Sequence, residues 1–307
     1  MTRDEFLQQA DEYRAELLAH CYRMLGGLHE AEDVVQDAYV RAWRAWESFE
    51  GRSSVRTWLY RIATNLCLTA LQSYRRRVLP SGLGTDDEPA ASDVMWIDPF
   101  PSGDPAELVA DRVGLRLAVL ASLQYLPARQ RAIFLLREGL GLSAVEIADV
   151  VGTTVPAVKS ALQRARVRLD EVSPSADGLV EPDSPQARAI LDRYVAAFEN
   201  ADLDAMSDLL RADAVLEIVP SGSRYTGKVA CVAQLAAVFA EPGSYRLIPT
   251  VANGQPATVA YHRARGEEQF TPFGLGVLTV DARHITVLTT FVDPGLVARF
   301  GFPPVPH

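Results

Sequence analysis

The stretch LSAVEIADVVGTTVPAVKSALQRARVRL, from Leu142 to Leu169, predicts two helices joined by a tight turn. Ser143 and Glu146 have the spacing of a capping box, which begins a helix, and Gly152 is typical of the residue that ends one. The second helix has its own start signals: Thr153 or Thr154 as its cap and Pro156 in its first turn. This pattern predicts a helix-turn-helix.

The two sides of the second helix differ in polarity. Apolar residues recur at the helical period and would face a core: Val158, Leu162, Ala165 and Leu169. Polar and basic residues cover the rest: Lys159, Ser160, Gln163, Arg164, Arg166 and Arg168. Such a face suits the phosphates and base edges of a DNA major groove. It also fits an ordinary amphipathic helix with a solvated polar side, so the helix alone leaves both interpretations open.

The composition indicates a chain with more than one domain. It has 307 residues, of which 48% are hydrophobic, enough for more than one core. It contains no apolar run that predicts a membrane span and no signal segment at its start, so we expect a cytoplasmic protein without membrane contact. Cys21, Cys67 and Cys231 lie far apart, which predicts reduced thiols and neither a disulfide framework nor a metal site.

The net charge of −9 hides a strong division along the chain. Residues 41–77 carry eight Arg and two Glu, and residues 112–168 carry nine bases and three acids, so each segment has a net charge of +6. Between them, residues 78–111 carry eight acids and no base. Two basic modules flanking an acidic connector are compatible with nucleic-acid binding in spite of the acidic total.

The organisation of the chain follows from its patterning, and five segments are predicted. They are a helical domain (1–77), an acidic linker rich in Pro, Gly and Ser (78–106), the helix-turn-helix domain (107–172), a second linker (173–185) and an α+β domain built on a curved sheet (186–307). In the first domain, Glu30–Trp46 and Val55–Arg77 are predicted helices. In the last domain, one or two helices over Ala187–Leu210 precede strands at Val215–Val219, Tyr245–Thr250, Thr258–His262, Gly274–Val280 and His284–Phe291, with a turn at Asn253-Gly254.

Three motifs together resemble a known family. EDVVQD at 32–37 and TWLYRIATN at 57–65 make residues 12–77 similar to the promoter-melting domain of an extracytoplasmic-function (ECF) sigma factor of bacterial RNA polymerase. VKSALQRAR at 158–166 makes residues 112–171 similar to the second DNA-binding domain of that family, although the wider family usually has Arg where this chain has Ala161. SALQRAR and the WxxPxP pattern in the linker resemble the branch that carries a SnoaL-like C-terminal domain.

The resemblance implies two partners, core RNA polymerase and promoter DNA. Asp33, Gln36 and Asp37 share one helix face and would pair with the clamp helices of the polymerase. The −10 element would be bound by a loop and the helix after it, with unpaired bases stacked or flipped into a pocket. The residues concerned are Phe49, Arg52, Ser53, Arg56, Tyr60, Arg61 and Asn65. Arg75, Arg76 and Arg77 would contact phosphates, whereas Trp43, Trp46 and Trp58 are expected to be core residues.

At the −35 element, the helix-turn-helix would read duplex DNA. Lys159, Arg164 and Arg168 would contact phosphates, with Ala157, Ser160 and Gln163 nearer the bases. The linker would thread into the polymerase, where Asp86, Asp87, Glu88, Asp93 and Asp98 would mimic nucleic-acid phosphates. A self-repelling disordered spacer is an equally good interpretation of the linker.

The SnoaL-like cone is used elsewhere by isomerases and cyclases, which need a carboxylate base and a hydrogen-bond donor. Tyr194, Glu217, His262 and Asp281 are candidates for such a pocket, but their spacing identifies no reaction. We therefore predict no catalytic residue, no metal and no cofactor, and expect the domain to contact the sigma domains and modulate them in cis. The alternatives are a stand-alone helix-turn-helix regulator and a SnoaL-like enzyme with a DNA-binding N-terminus. The sequence does not indicate whether an anti-sigma partner exists.

Overall fold

The computed structural model describes residues 10–51, 53–73, 77–80, 95–101, 116–172 and 184–306. These residues belong to two compact units. The first unit holds residues 10–51, 53–73, 77–78, 95–99 and 116–172, and the second holds residues 79–80, 100–101 and 184–306. The linker predicted over 78–106 is therefore divided between the units, and residues 95–98, 100 and 101 of it have hydrogen-bond or strand partners there.

The first part of the first unit is an antiparallel set of three helices, α1 (Arg14–Leu25), α2 (Leu28–Ala45) and α3 (Val55–Ser73), with a 3₁₀ turn at Trp46–Ser48. Gly26 ends α1 with a left-handed φ of +75°, a conformation open to glycine. An apolar stripe along α2 is buried: Ala31, Val34, Val35, Ala38 and Ala42. This stripe is the side of α2 that packs on α1 and α3.

The predicted helix over Val55–Arg77 is too long at its end. The structure ends α3 at Ser73 and places Arg77–Val78 in a short strand, β1, which pairs in parallel with β2 (Met95–Trp96). Ile97 continues this pairing by donating its N–H to the Val78 carbonyl at 3.1 Å. The linker segment 95–99 is thus built into the first unit.

The second part of the first unit is also helical. It contains α4 (Leu117–Gln124), α5 (Ala128–Phe134), a π-helical turn at Leu135–Gly139, α6 (Ala144–Val151) and α7 (Val155–Val172). Pro127 and Ser143 precede α5 and α6 and separate them from the elements before. The predicted helix-turn-helix is confirmed as α6 and α7, which pack on α5.

The second unit is an α+β cone, as predicted. Two helices, α8 (Pro185–Glu199) and α9 (Leu203–Leu209), precede strands β3 (Leu210–Val219) and β4 (Ser223–Thr226) and helix α10 (Lys228–Ala240). Four strands follow: β5 (Gly243–Ala252), β6 (Gln255–Ala264), β7 (Thr271–Val280) and β8 (Ile285–Phe291). A short helix, α11 (Gly295–Arg299), comes last. The sequence predicted neither β4 nor α10.

The strands form one six-stranded sheet in the order β4-β3-β8-β7-β6-β5. All neighbours are antiparallel except β3 and β8, which are parallel. One sheet face packs against the helices, with Leu216, Leu278 and Leu288 in register and part of one apolar cluster with Tyr194 of α8. We call this the inner face. Since side chains alternate along a strand, the residues directly before and after each of these leucines in its strand lie on the opposite side of the sheet, the outer face.

The turn predicted at Asn253-Gly254 joins β5 and β6, and both residues have positive φ, +55° and +60°. Such a pair of angles gives the tight hairpin turn that Asn-Gly favours. Asn253 is fully buried because two linker residues lie against it: the Phe100 N–H donates to the Asn253 side-chain oxygen at 2.8 Å, and the Asn253 N–H donates to the Phe100 carbonyl at 2.9 Å. Pro101 forms a bridge to Ala252. Phe100 itself is only 1% exposed.

Candidate polymerase and nucleic-acid interfaces

The outer side of α2 carries the three residues predicted to bind a protein partner. Asp33, Gln36 and Asp37 are all exposed on adjacent turns. The same face continues with Val40 and Trp43, which are 41% and 40% exposed. The prediction that Trp43 is a core residue is therefore wrong, because the buried stripe of α2 lies on its other side. The spacing from Gln36 to Val40 to Trp43 was the signal that could have placed the two apolar residues beside the acidic patch.

An aromatic cluster lies where α2 passes into α3. The rings of Trp46 and Phe49 are stacked with centroids 5.3 Å apart, and Phe49 and Trp58 are 4.8 Å apart. Trp46 is buried, whereas Phe49 and Trp58 are half-buried. The loop after Phe49 has Ser53 exposed, while Arg52 lies outside the described residues. This loop presents flat aromatic surface next to polar side chains, the combination that suits unpaired bases.

Tyr60, predicted to contact a base, lies in the core with 1% exposure. Its ring packs edge-on against His20 at 5.1 Å, and burial raises the pKa of its hydroxyl well above the usual value. Arg56 covers the ring at 5.5 Å and donates two hydrogen bonds, of 2.7 and 2.8 Å, to the Glu16 carboxylate. In this conformation the Tyr60 ring offers no face for stacking, because His20 and Arg56 already contact it.

His20 is the other buried titratable group of this region. Its Nε2 lies 3.0 Å from the Thr64 hydroxyl, and burial together with the Arg23 charge lowers its pKa to about 3. The imidazole is therefore neutral at physiological pH and serves as a packing and hydrogen-bonding group beneath α3.

Other predicted contacts on α3 remain at the surface. Arg61 and Asn65 are exposed one turn apart. The Arg61 guanidinium lies 3.4 Å from the Asp149 carboxylate of α6. An exposed pair of this kind is weak, so DNA phosphate can compete for Arg61.

Arg77 was predicted to contact phosphate, and the structure places it elsewhere. Its side chain is buried, forms ion pairs with Glu30 and Asp98 and donates to the Trp96 carbonyl. The guanidinium is thereby used to hold the linker on the α1–α2 turn. Arg75 and Arg76 lie outside the described residues.

The capping box at the start of α6 is formed in both directions. The Ser143 N–H donates to the Glu146 carboxylate at 2.8 Å, and the Glu146 N–H donates to the Ser143 hydroxyl at 3.3 Å. The bonds from Ser143 lower the pKa of Glu146. Gly152 ends the helix with φ +63°. At the next helix, Thr154 accepts from the Ala157 N–H at 3.4 Å, so Thr154 is the cap of α7.

Helix α7 has one exposed side and one buried side, as the sequence predicted. The six predicted DNA contacts are all exposed: Ala157, Lys159, Ser160, Gln163, Arg164 and Arg168. Val158, Leu162 and Ala165 are buried, and so is Ala161, at 5% exposure. Ala161 therefore belongs to the packed side of α7. The Arg that the wider family has here is not missing from the exposed row of DNA-contact candidates.

Grooves of about 510 Å³ run along both sides of this exposed face. One is lined by Lys159, Gln163 and Arg166 of α7 together with Arg137 and Ser143. The other is lined by Ser160, Gln163, Arg164, Val167, Arg168 and Glu171. Arg137 was absent from the predicted contacts because it precedes the motif in sequence and reaches the groove only through the fold. Two of the arginines form ion pairs with carboxylates: Arg166 with Glu138 at 2.7 Å and Arg168 with Glu171 at 2.9 Å.

The fold distributes the pocket candidates of the second unit over different places. Tyr194 lies buried on the inner face, and this burial raises the pKa of its hydroxyl, an effect that the nearby Thr258 hydroxyl offsets only in part. His262 is half-buried beside Tyr245, at 4.7 Å between rings. Glu217 is 1% exposed on the outer face and accepts a 3.0 Å hydrogen bond from Thr289.

Asp281 has a role within a turn. It accepts hydrogen bonds from the Arg283 and His284 N–H groups at 2.8 and 2.7 Å and lies 3.5 Å from Arg211. Burial acts to raise the pKa of this carboxyl, but the two hydrogen bonds and the neighbouring charges outweigh it and lower the pKa. The four candidates therefore do not converge on one site. No group of three or more possible metal ligands occurs among the described residues.

All three cysteines are free and buried. Cys21 of α1 and Cys67 of α3, separated by 46 positions in the sequence, lie together: a hydrogen bond to the Cys67 thiol and burial raise the pKa of Cys21 well above its ordinary value. The prediction of reduced thiols agrees with this state. What the sequence could not show is that two of them are neighbours.

Known families match three parts of the chain: Sigma-70 region 2 over residues 10–77, Sigma-70 region 4 over 116–169 and the SnoaL-like domain over 191–300. ECF RNA polymerase sigma factor SigG of Mycobacterium tuberculosis (strain H37Rv) is 46% identical over 98% of this chain and 85% of its own length. The probable ECF sigma factor SigI of the same strain is 29% identical over 92% of this chain and 91% of its own length. The crystal structure of M. tuberculosis SigJ has the same fold, with TM-score 0.65 and 22% identity, covering 97% of this chain and 99% of that one.

The chain belongs to the ECF RNA polymerase sigma factor family, in a branch with a SnoaL-like domain. As a sigma factor it is a transcription initiation factor that binds core RNA polymerase and promoter DNA. This replaces both alternatives, the stand-alone regulator and the enzyme. No helix among the described residues is long and apolar enough to span a membrane.

Proposed function

We propose that this sigma factor docks on core polymerase through the exposed face of α2. The observation that carries this is the juxtaposition of Asp33, Gln36 and Asp37 with Val40 and Trp43 on one helix side. Charged residues steer the encounter, whereas exposed apolar side chains supply the area that is desolvated on binding.

The promoter contacts are assigned to two surfaces of the first unit. Phe49 and Trp58 provide the aromatic surface for −10 bases, with Ser53, Arg61 and Asn65 around it. The exposed residues of α7, with Arg137 beside them, provide the −35 surface. On α7, the basic side chains contact DNA phosphates, and the uncharged side chains lie nearer the edges of the nucleobases.

Reconstitution tests this assignment. Purified protein is mixed with core polymerase and a duplex promoter template, and strand opening and run-off transcripts are measured. We expect opening that depends on both components, and loss of opening when Asp33 and Asp37 are changed to Lys. A matched variant, Asp192→Lys with Asp208→Lys, makes the same charge change at exposed positions of α8 and α9 and is expected to transcribe normally. Equal transcription by both variants would rule out the α2 face.

The second unit is proposed to modulate initiation in cis through the linker. Two linker residues separated only by Pro99 belong to different units. Asp98 is hydrogen-bonded to the α1–α2 turn of the first, and Phe100 is hydrogen-bonded to the β5–β6 hairpin of the second. A displacement of the hairpin would therefore be transmitted from Phe100 to Asp98, at the start of α2, through only two peptide bonds. This links a folded domain to the segment that follows the −10 module.

Asn253→Gly tests the role of the hairpin. Glycine adopts the positive φ of Asn253 without strain and lacks the side-chain oxygen that accepts from Phe100. We expect a change in transcript output at saturating core polymerase, with Asn200→Ala, an exposed change in the same unit, as the control. Unchanged output would remove the regulatory role and leave the sigma-factor function intact.

We further propose that the protein acts in the cytoplasm, where transcription takes place. We also propose the domain bounds that the sequence predicted, 1–77, 107–172 and 186–307, as the cores of the three domains, to which residues 95–101 of the linker add contacts. We propose that the inner face around Tyr194 and His262 binds a ligand without catalysing a reaction, because the candidate residues do not meet in one reactive site.

A further inference from the structure

The exposed side of α7 is a ridge with a groove on either side. Gln163 and Val167 line both grooves, so these two side chains separate one groove from the other. Both are exposed, Val167 at 55%. We call Gln163 and Val167 the α7 ridge. The ridge carries no charge.

Basic side chains flank the α7 ridge on both sides. One groove holds Lys159, Arg166 and Arg137, and the other holds Arg164 and Arg168. In duplex DNA, the phosphates of the two strands lie along both edges of the major groove, which is about 12 Å wide. A helix that lies in this groove therefore has its basic flanks beside phosphates and its ridge beside the base edges.

Packing on the opposite side of α7 holds the ridge in place. Leu162 and Ala165 are buried, and the helix packs on α5 and α6. Gln163 lies in the middle of α7, which has 18 residues, so the hydrogen bonds of the helix fix its backbone. Only the side-chain torsions of Gln163 remain to be ordered when it meets a base.

The glutamine amide matches one of the four bases in the major groove. Its NH₂ group donates and its oxygen accepts, while adenine presents N7 as an acceptor and its N6 amino group as a donor. Guanine presents two acceptors, so the glutamine oxygen would face guanine O6 with no proton between them. Thymine presents one acceptor and cytosine one donor, and each therefore allows a single hydrogen bond.

The other uncharged residues assigned to the −35 surface cannot make this distinction. The Ser160 hydroxyl both donates and accepts, so it suits any base. The Ala157 side chain is one methyl group, which can contact a thymine methyl but forms no hydrogen bond. Of these three residues, Gln163 is the one whose paired hydrogen bonds select a base.

We propose that Gln163 determines the base specificity of this sigma factor at one position of the −35 element, where it selects adenine. The side-chain N–H donates to adenine N7, and Oε1 accepts from the adenine N6 amino group. Val167, one turn further along the ridge, adds apolar surface and no competing hydrogen-bonding group. The proposal rests on the assignment of α7 to the −35 element.

Selection from a mixed template population tests the proposal. Full-length protein and core polymerase are incubated with promoter duplexes in which the −35 element is randomised, and the bound duplexes are sequenced. We expect the wild type to enrich adenine about ten-fold at one position, within the range that a bidentate base contact supplies. Gln163→Ala should lose this preference and keep those at the other positions. Gln163→Arg should select guanine there instead, because a guanidinium matches the two guanine acceptors.

A modified base tests the contact itself. Replacing the selected adenine with 7-deazaadenine removes the N7 acceptor and keeps the base pair. We expect wild-type binding to weaken about five-fold and Gln163→Ala to be insensitive to the replacement. Gln186→Ala, at an exposed glutamine of α8, is the matched control and should behave as the wild type. Base preferences that survive in Gln163→Ala, or equal sensitivity of the wild type and Gln163→Ala to 7-deazaadenine, would overturn the proposal.

Arg164→Ala separates this result from a failure of the −35 assignment. On an α7 that binds the −35 element, this variant should weaken binding to all sequences and keep the preference for adenine. If neither Arg164→Ala nor Gln163→Ala alters binding, the assignment of α7 is wrong and the role of Gln163 falls with it. If only Arg164→Ala alters binding, the assignment stands and the role of Gln163 is wrong.

Discussion

Asp98 of the linker caps helix α2: its carboxylate accepts a 3.0 Å hydrogen bond from the Leu28 N–H at the first residue of the helix. The Asp98 N–H donates to the Gly26 carbonyl at 3.0 Å, and its own carbonyl accepts from the Tyr22 hydroxyl at 2.6 Å. A carboxylate at this position also complements the partial positive charge of the helix start. The linker therefore contributes to the stability of α2, the helix that we propose docks on polymerase.

Changing Asp98 should destabilise the protein. Asp98→Ala removes the cap and the Arg77 ion pair, and we expect a loss of about 1–3 kcal/mol in the free energy of unfolding of the first unit, measured by urea denaturation. Asp98→Asn keeps one acceptor oxygen and should lose less. An exposed acid on α8, Asp192→Ala, should cost nothing measurable.

The apolar part of the α2 face should matter for polymerase binding. Trp43→Ala removes a 40% exposed ring and is expected to weaken affinity for core polymerase by about ten-fold, or about 1.4 kcal/mol, without lowering stability. Binding is measured by fluorescence anisotropy at fixed salt. An equal loss of stability would show instead that Trp43 is needed for packing.

The basic side chains of α7 that contact phosphates should be identifiable from the salt dependence of DNA binding. Arg164→Ala is expected to weaken binding to −35 duplexes of any sequence and to reduce the slope of log K against log salt by about 1, since one phosphate contact is lost. Arg188→Ala, an exposed arginine of α8, is the matched control. A slope that does not change would show that Arg164 is not a phosphate contact.

The capping box should give a pH-dependent contribution. The pKa of Glu146 is lowered in the folded protein, so the stability it adds is present above its unfolded pKa and is lost as the pH falls through the folded value. We expect Glu146→Gln to lower the unfolding free energy at about pH 7, and the difference from wild type to disappear toward about pH 3. A difference that persists at low pH would mean that the side chain acts through packing rather than charge.

The thiols should be unreactive in the native state. Cys21, Cys67 and Cys231 are each no more than 1% exposed, and their environment raises the pKa of Cys21 and of Cys231. Because the thiolate is the reactive form, modification by a disulfide reagent should be slow in buffer and complete in denaturant. Rapid labelling of one thiol in buffer would reveal local opening of the helices around it.

Local patterns predicted most of the elements. The capping box, the Gly152 stop and the stripe of α2 depend on residues within one or two turns, so the sequence contains the full signal. The exposed side of α7 follows for the same reason. The order of the domains could be inferred from charge and composition, because each boundary changes both.

Features that depend on distant residues could not be predicted. Arg77 seemed free for DNA because its partners, Glu30 and Asp98, are 47 and 21 positions away. Tyr60 looked like a stacking residue, since nothing nearby in sequence shows that His20 covers it. Trp43 was assigned to the core by residue type, although the periodicity of α2 places it outside. The burial of Phe100 depends on a hairpin residue, Asn253, that is 153 positions later in the chain.

The position of Phe100 bears on how shortened versions of this protein should be judged. Removing the C-terminal domain also removes Asn253, whose side-chain oxygen and N–H are the two hydrogen-bond partners of the Phe100 backbone, and leaves an aromatic ring without its cover in the middle of the linker. A truncated factor would carry a new hydrophobic site prone to self-association, so any gain or loss of activity would mix two causes. Point changes in the hairpin avoid that confusion.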